Sequence, residues 1–483
     1  MALVSTSHSL STPLHQLDKI SQLPDDILLK VLSTLDLKNA VKTSVLAKRW
    51  KYLWTWLTVL DFDYKILSDN FKLQRYINWV NQVLYGQRGP YISKFRVFLR
   101  SSLGSDMSQL EKWARFAFSK RVENLDLDLL PSTNSPRFSL GLDLLKHPQN
   151  NGIVNLKSLR LSWVNLSDEV LEFILLHCRL LEQLYVKSSE TLHKLNIVSD
   201  KLKHLTLINC IYLKQLQIDA VNLISFHFND NCERVLTHMV FKRVPKLVEA
   251  SFDGDSCIHP FPILERISHL PKQLTKLSFS PSIDIFLYCE LDRQFCPPPE
   301  LFPNVKWLIL TFKHMNPSLV FIKFFIYACP MLRELKIQPV IGTLSLGEEA
   351  NLLQEIELED GENAEITINK NSYPEAHKEN VAGLLERNDK NHKSHRNLRV
   401  LEVVGFRGRD DDVRCALDII ACASSFETLI LNPQSVIEIG LPRQEKDIEK
   451  ISTIKRRACK LAKLVPPNVH VGVGVMPDIF WFS

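Results

Sequence analysis

The residues best suited to covalent or metal chemistry are scattered through this chain. Ten cysteines stand at Cys178, Cys210, Cys232, Cys257, Cys289, Cys296, Cys329, Cys415, Cys422 and Cys459. No two make the C-x-x-C spacing of a zinc ribbon or a thioredoxin-type centre. His392 and His395 form H-x-x-H, but in a polar run and without an acidic neighbour, so a metal site is not expected. Asp410, Asp411 and Asp412 read as the acidic first turn of a helix, where they meet the positive end of its dipole. Val471-Gly472-Val473-Gly474-Val475 is not G-x-G-x-x-G and opens no helix, so it is no dinucleotide loop. No G-x-S-x-G, P-loop or kinase set occurs. The expectation is a protein with no catalytic constellation, no cofactor and no metal.

Composition narrows the class further. The 483 residues are 45% apolar and 23% charged, with a formal charge of +5 and no basic block, which argues against nucleic-acid binding. The densest apolar stretch, 319–328, is interrupted by Lys323 and is far shorter than the ~20 residues of a membrane span. The first residues lack the basic start and apolar core of a secretory signal. Scattered cysteines then read as reduced thiols of an intracellular protein, in the nucleus, the cytoplasm or both. Lys455, Arg456, Arg457, Lys460 and Lys463 fall on one predicted helix, as a solvated basic face or a short localisation signal.

What elements carry the chain? Residues 1–17 are polar and read as a disordered lead-in. From Asp18 to Asp63 the pattern is helical. Pro24 suits a helix start, Asp25 and Asp26 the first turn, and Ile27, Leu28, Val31, Leu32 and Leu35 keep helical apolar spacing. Asp36 can cap a second helix holding Val41, Val45 and Leu46, and Trp50, Leu53, Trp54 and Leu57 continue the stripe. A module this small rarely closes its own core, so a partner or the next domain must cover it.

The runs Leu23-Pro24-Asp25-Asp26-Ile27-Leu28, Leu32-Ser33 and Ser44-Val45-Leu46-Ala47-Lys48-Arg49-Trp50 resemble the plant F-box. One departure is Asp36-Leu37, where that family commonly has Leu-Pro. The resemblance implies a small helical hook that docks on a Skp-type adaptor and through it on a cullin. It places Leu23, Pro24, Ile27, Leu28, Val41, Val45 and Trp50 at positions that face the adaptor or support that face.

Behind this module one phrase keeps returning, L-x-x-L-x-[LIV]: at Leu156, Leu181, Leu192, Leu202 and Leu213, with degenerate copies at Leu223, Leu247, Leu274, Val305, Leu332, Leu353, Leu398 and Phe426, and weaker ones at Ile92 and Val122. It is the strand of a leucine-rich repeat, with its apolar positions inside. Three longer units end an apolar helix in a packing cysteine, Cys178, Cys329 or Cys422, just before the next strand. Starts at Leu156, Leu181, Leu202 and Leu223 are spaced for one coil each. Leu192 and Leu213 fall halfway, too close for a helix, and predict a second strand on the opposite wall. Alternation then turns Arg160, Ser162, Tyr185, Lys187, Thr206, Ile208, His227 and Asn229 outward on the main sheet, and Asn196 and Gln217 away from it. Arg160, Tyr185, Lys187, Thr206 and His227 are the candidate target contacts.

The expected fold is an α/β solenoid of leucine-rich repeats preceded by a small all-α F-box module. Its divisions are a lead-in (1–17), the F-box (18–63), the repeats (64–360), a polar insertion (361–396), a strand-helix-strand end of the solenoid (397–435) and a C-terminal tail (436–483). Residues 397–435, with Leu398, Gly405-Phe406, Gly408, an acidic helix start and a closing strand, resemble the FBD region found with F-boxes and repeats in plants. The resemblance implies a substrate receptor of a Skp–cullin–F-box ubiquitin ligase, with an adaptor, a cullin and a target protein as partners. A ligand-gated receptor and an adaptor-binding scaffold outside any ligase are the alternatives.

Overall fold

The computed structural model describes residues 20, 23–63, 72–100, 107–130, 136–146, 151–230, 238–254, 270–281, 301–312, 319–339, 394–408, 410–433, 445–475 and 478–482. Two compact units divide the chain, Met1–Leu202 and Lys203–Ser483. The lead-in, the repeat at Leu353 and the insertion as far as residue 393 lie outside the described residues.

In the first unit Pro24 precedes the first helix, α1 (Asp25–Ser33), with an extended backbone whose carbonyl accepts from the Leu28 N–H at 3.0 Å. Leu28 and Leu32 of α1 are buried, whereas Ile27 and Val31 are exposed. Asp36 caps α2 (Leu37–Lys42) by accepting from the Asn39 N–H at 2.8 Å, so the turn is made without the usual Leu-Pro. α2 stops well short of Val45. The Thr43 and Ser44 hydroxyls donate to the Ala40 and Val41 carbonyls, and such local bonds compete with helix continuation. Short 3-10 segments, Thr43–Val45 and Trp50–Trp56, finish the module. Arg49 ties its end to its start through Asp25 at 2.6 Å.

The elements that follow are β1 (Val59–Asp63), α3 (Lys72–Gly86), β2 (Lys94–Arg100), α4 (Ser108–Ser119), β3 (Asn124–Leu130), β4 (Ser139–Leu140), α5 (Leu142–Leu145), β5 (Ser158–Ser162), β6 (Asn165–Leu166), α6 (Asp168–His177), β7 (Gln183–Lys187) and β8 (Lys194–Ser199). Strands β1, β2, β3, β5 and β7 lie side by side in that order, all parallel. Strand pairing brings Leu60, Phe95, Leu125, Leu159 and Leu184 into one buried row, and Phe62, Val97, Leu127, Leu161 and Val186 into the next. Residues 59–63, counted with the helical module in the sequence, are therefore the first strand of this sheet. Leu57, Leu60 and Phe62 keep the repeat spacing, with phenylalanine in the last place. β8 stands outside the five-stranded sheet and packs against α6. There the Asp168 carboxylate accepts from the His193 and Lys194 N–H groups at 2.8 and 3.1 Å.

The second unit runs β9 (His204–Ile208), β10 (Gln215–Ala220), β11 (Ser225–Asp230), β12 (His238–Phe241), β13 (Glu249–Gly254), β14 (Lys276–Pro281), β15 (Trp307–Phe312), α7 (Leu319–Ala328), β16 (Glu334–Pro339), β17 (Val400–Val404), α8 (Asp410–Ala421), β18 (Thr428–Asn432), α9 (Glu445–Ala462), β19 (His470–Val475) and β20 (Asp478–Phe482). β9, β11, β13 to β18 and β19 form an open parallel sheet, and β20 closes it antiparallel. β10 pairs instead with β12 in a separate sheet. The half-period strand at Leu213 thus lies off the main sheet, and β12 carries this arrangement past the two half-period copies marked in the sequence. Helices α6, α7 and α8 each end one residue before a buried cysteine: Cys178, Cys329 and Cys422. Burial pushes the Cys178 thiol up to about 12 and the Cys329 thiol up as well, which keeps both unreactive.

Two expectations near the C-terminus are corrected. Residues 470–475 and 478–482, read as tail, are sheet strands, because His470 to Val473 pair with Thr428 to Leu431. His395, read as part of an exposed insertion, is buried and bonded by both ring nitrogens to backbone. No described helix is long and apolar enough to cross a membrane. Among the described residues no group of three His, Cys, Asp or Glu side chains is placed to hold a metal ion.

Candidate functional site

Two kinds of surface are exposed, and the sequence-predicted residues divide between them. On the helical module, the periodicity of α1 puts Leu28 and Leu32 inside and leaves Ile27 and Val31 outside. Val45, at 87% exposure, and Leu46 follow from the 3-10 turn. Pro24 is exposed, Leu23 and Val41 are half-buried, and Trp50 is buried. Of the seven adaptor-facing candidates, Leu28 and Trp50 can act only as supports. Val31, Leu35 and Leu46 are exposed aliphatics, as Ile27 and Val45 are. Helical spacing alone could not separate the outer set from the inner one.

The second surface is the polar side of the sheets. In the first unit Asp61, Arg96, Asp126, Arg160 and Tyr185 stand in register across five adjacent strands. Their charges alternate and the pairs are made: Arg96 lies 3.4 Å from Asp61 and 3.5 Å from Asp126, and Lys94 adds a contact to Asp61 at 3.1 Å. The Arg160 guanidinium sits 3.8 Å above the centre of the Tyr185 ring. Burial pushes the Asp126 carboxyl up despite the Arg160 and Arg96 guanidinium groups, and its Oδ1 is buried without a hydrogen-bond partner. Burial also raises the Tyr185 phenol, against the pull of Arg160. Lys187 is half-buried beside Ser162 in the next row. Ser162 itself is a correction: it is 2% exposed, because a short side chain between Asp128 and Lys187 does not reach water.

In the second unit Thr206 and His227 are register neighbours on β9 and β11. The His227 Nε2 lies 2.9 Å from an Asp253 oxygen, an ion-pair distance without hydrogen-bond alignment, so this side chain is partly engaged within the sheet. Further along the same face Lys336 meets Glu402 at 3.0 Å and Gln338 meets Thr311 at 3.2 Å. Gln217 lies on β10, in the separate sheet, and Asn196 on β8. The outward residues missed from sequence are Asp61, Arg96 and Asp126. Repeat spacing at Leu57, Ile92 and Val122 marks all three, but those copies are degenerate.

The chain matches the F-box domain family over residues 20–61 and the leucine-rich repeats of an FBD-associated F-box protein over residues 127–251. An FBD-associated F-box protein of Arabidopsis thaliana is 32% identical over 252 residues, which cover 48% of this chain and 61% of that protein. A putative F-box/LRR-repeat protein of the same plant is 33% identical over 269 residues, covering 49% and 62%. Another Arabidopsis thaliana F-box/LRR-repeat protein is 30% identical over 286 residues, covering 52% and 78%. The chain spans about three fifths of the length of the first two.

Proposed function

The chain belongs to the F-box/LRR-repeat protein family, and from that membership we propose that it is the substrate-recognition subunit of a Skp–cullin–F-box ubiquitin ligase. The observation that carries the reading is the exposed aliphatic face of α1, Ile27 and Val31, together with Val45 and Leu46 exposed after α2, on a module that buries Leu28, Leu32, Leu37 and Leu53. In this role the face docks on a Skp-type adaptor and so on a cullin, working in the nucleus, the cytoplasm or both. The strands behind it are coils of a solenoid whose polar face grips a target protein. Arg160, Tyr185 and Lys187 in the first unit, and Thr206 and His227 in the second, are the proposed contacts. Residues 397–435 form an FBD-like end of that solenoid. The chain performs no chemistry itself. It raises the effective concentration of a bound target near the ubiquitin-charged enzyme.

Affinity isolation of the full chain with the proteasome blocked tests this. Adaptor, cullin and ubiquitinated targets should copurify with the wild type. A Leu23→Ala/Pro24→Ala variant should lose adaptor binding by several kcal/mol, as expected for central interface residues, while its repeats stay folded. Undiminished adaptor binding by that variant removes the docking assignment. Adaptor without cullin would make the chain a scaffold outside any ligase.

A further inference from the structure

Beyond the adaptor face and the proposed target contacts, we propose that the second unit carries an anion-binding edge centred on Lys306 and Arg333. Its occupant is an acidic segment of a partner protein that also bears an apolar residue. In each repeat phrase the residue after the opening apolar one joins the sheet by one further backbone bond. The Lys306 N–H donates to the Thr275 carbonyl at 2.8 Å. Arg333 donates to Lys306, Arg399 to Arg333 and Glu427 to Arg399, each at 2.9 Å. These five residues precede consecutive strands, β14 to β18, and their charges read neutral, positive, positive, positive, negative.

Like charges on neighbouring strands work against a sheet. The same ladder position in the first unit alternates instead, as Glu123, Lys157 and Glu182, with Lys157 and Glu123 paired at 3.1 Å. Other cations of the second unit are also matched: Lys276 by Glu249 at 2.6 Å, Lys336 by Glu402 at 3.0 Å and Arg399 by Glu427 at 2.6 Å. Lys306 and Arg333 have no such partner among the described residues. Glu334 follows Arg333 but stands in the next row, in register between Trp307 and Val400, and pairs with neither cation. The Arg399–Glu427 pair is exposed on both sides, where an ion pair holds little energy, so Arg399 can turn to a further carboxylate.

Neighbouring strands lie about 4.8 Å apart, so the three cations span roughly 10 Å. Two or three carboxylates on one segment cover that length. Trp307 follows Lys306 and is 40% exposed, which gives an apolar side chain of the segment a surface to cover. Tryptophan and arginine are the side chains that dominate protein contacts of this kind. A nucleic acid, held by many phosphates along its length, would need more than one row of three cations. The edge belongs to the second unit and the adaptor face to the first, so the proposal does not rest on the ligase reading.

The full-length chain should be titrated with short labelled peptides in which Glu, Gln or Lys alternates with Leu. The Glu peptide should bind, the Gln peptide weakly and the Lys peptide not at all. Binding should fall as salt is raised from about 0.1 M to about 1 M. Lys306→Glu, Arg333→Glu and Trp307→Ala should each weaken Glu-peptide affinity by about tenfold or more, and Arg399→Gln should weaken it less. Melting temperatures close to that of the wild type check the folding, and Arg333→Gln serves if Arg333→Glu does not fold. Equal binding of Glu and Lys peptides, no binding at about 0.1 M salt, or affinity untouched in folded Lys306 and Arg333 variants overturns the proposal. Tighter binding of a single-stranded oligonucleotide than of the Glu peptide overturns it too. Binding that appears only when Glu355, Glu357, Glu359 and Asp360 are made neutral would assign the edge to this chain's own acidic run, and overturns it equally.

Discussion

His395 is held by backbone at both ring nitrogens. Nε2 lies 3.0 Å from the Cys329 carbonyl, which makes it the donor, and Nδ1 accepts from the Leu398 N–H at 3.0 Å. Burial lowers the basicity of this ring, with the Cys329 bond pulling the other way. Its folded value is therefore below the unfolded one of about 6.5, and the sign of the linkage follows. Above about 6.5 both states are neutral and the full stability is present; as pH falls below it, the unfolded chain binds a proton that the buried ring refuses, and stability is lost. Melting temperatures between pH 8 and 5 should show this slope, and His395→Gln should flatten it while lowering stability by about 1–3 kcal/mol through lost hydrogen bonds. An unchanged slope in the variant would assign it to other groups. Arg160 makes a different case, since its head stacks on Tyr185 at an exposed position. Arg160→Ala should change folding stability by less than about 1 kcal/mol yet cost about 2 kcal/mol of target affinity, as interface arginines do. Chemical denaturation and a binding titration on the same variant separate the two, and a large stability loss with intact binding would make the pair structural.

At the scale of the element, α1 presents two faces with opposite consequences for mutation. Leu28 and Leu32 are fully buried, so Leu28→Ala should destabilise the first unit by about 2–5 kcal/mol. Ile27→Glu combined with Val31→Glu should leave the melting temperature nearly unchanged and abolish adaptor binding. Thermal melts and adaptor pull-downs on both variants check the division, and a double variant that unfolds would show that this face is internal. Asp36 makes a smaller contribution to the same module. Removing its bond to the Asn39 N–H with Asp36→Ala should cost about 1 kcal/mol, the usual value of an N-cap.

On the scale of the whole molecule, each main-sheet strand of the second unit from β11 through to β19 bonds only to its two neighbours among the described residues. Stability in such an array is a sum of local coil terms and nearest-neighbour terms. Leu335 of β16 is buried in register between Leu308 and Leu401. Leu335→Ala should therefore cost about 2–5 kcal/mol and be felt locally. Amide exchange should rise first in β15, β16 and β17 and last in β9 and β11. Uniform loss of protection over the unit would show that it melts as one body.

Much of this protein is written in periods short enough to survive in one dimension. The L-x-x-L-x-[LIV] phrase names its own buried positions because strand side chains alternate faces, and a packing cysteine marks where three helices stop. The helical module is legible for the same reason: capping, helical spacing and the F-box runs all lie within forty-odd residues. What the sequence could not settle is which outward positions reach water and which side chains meet. Arg96 joins Asp61 and Asp126 across strands 35 and 30 residues apart in sequence, and that row exists only because stacking sets one register through five strands. Ser162 and His395 carry polar side chains into buried sites because neighbouring coils, remote in sequence, close over them. Local pattern decided where each strand begins and which side is apolar. Only the packing of coil on coil decided the charges that face one another, since that depends on neighbours the local sequence does not contain.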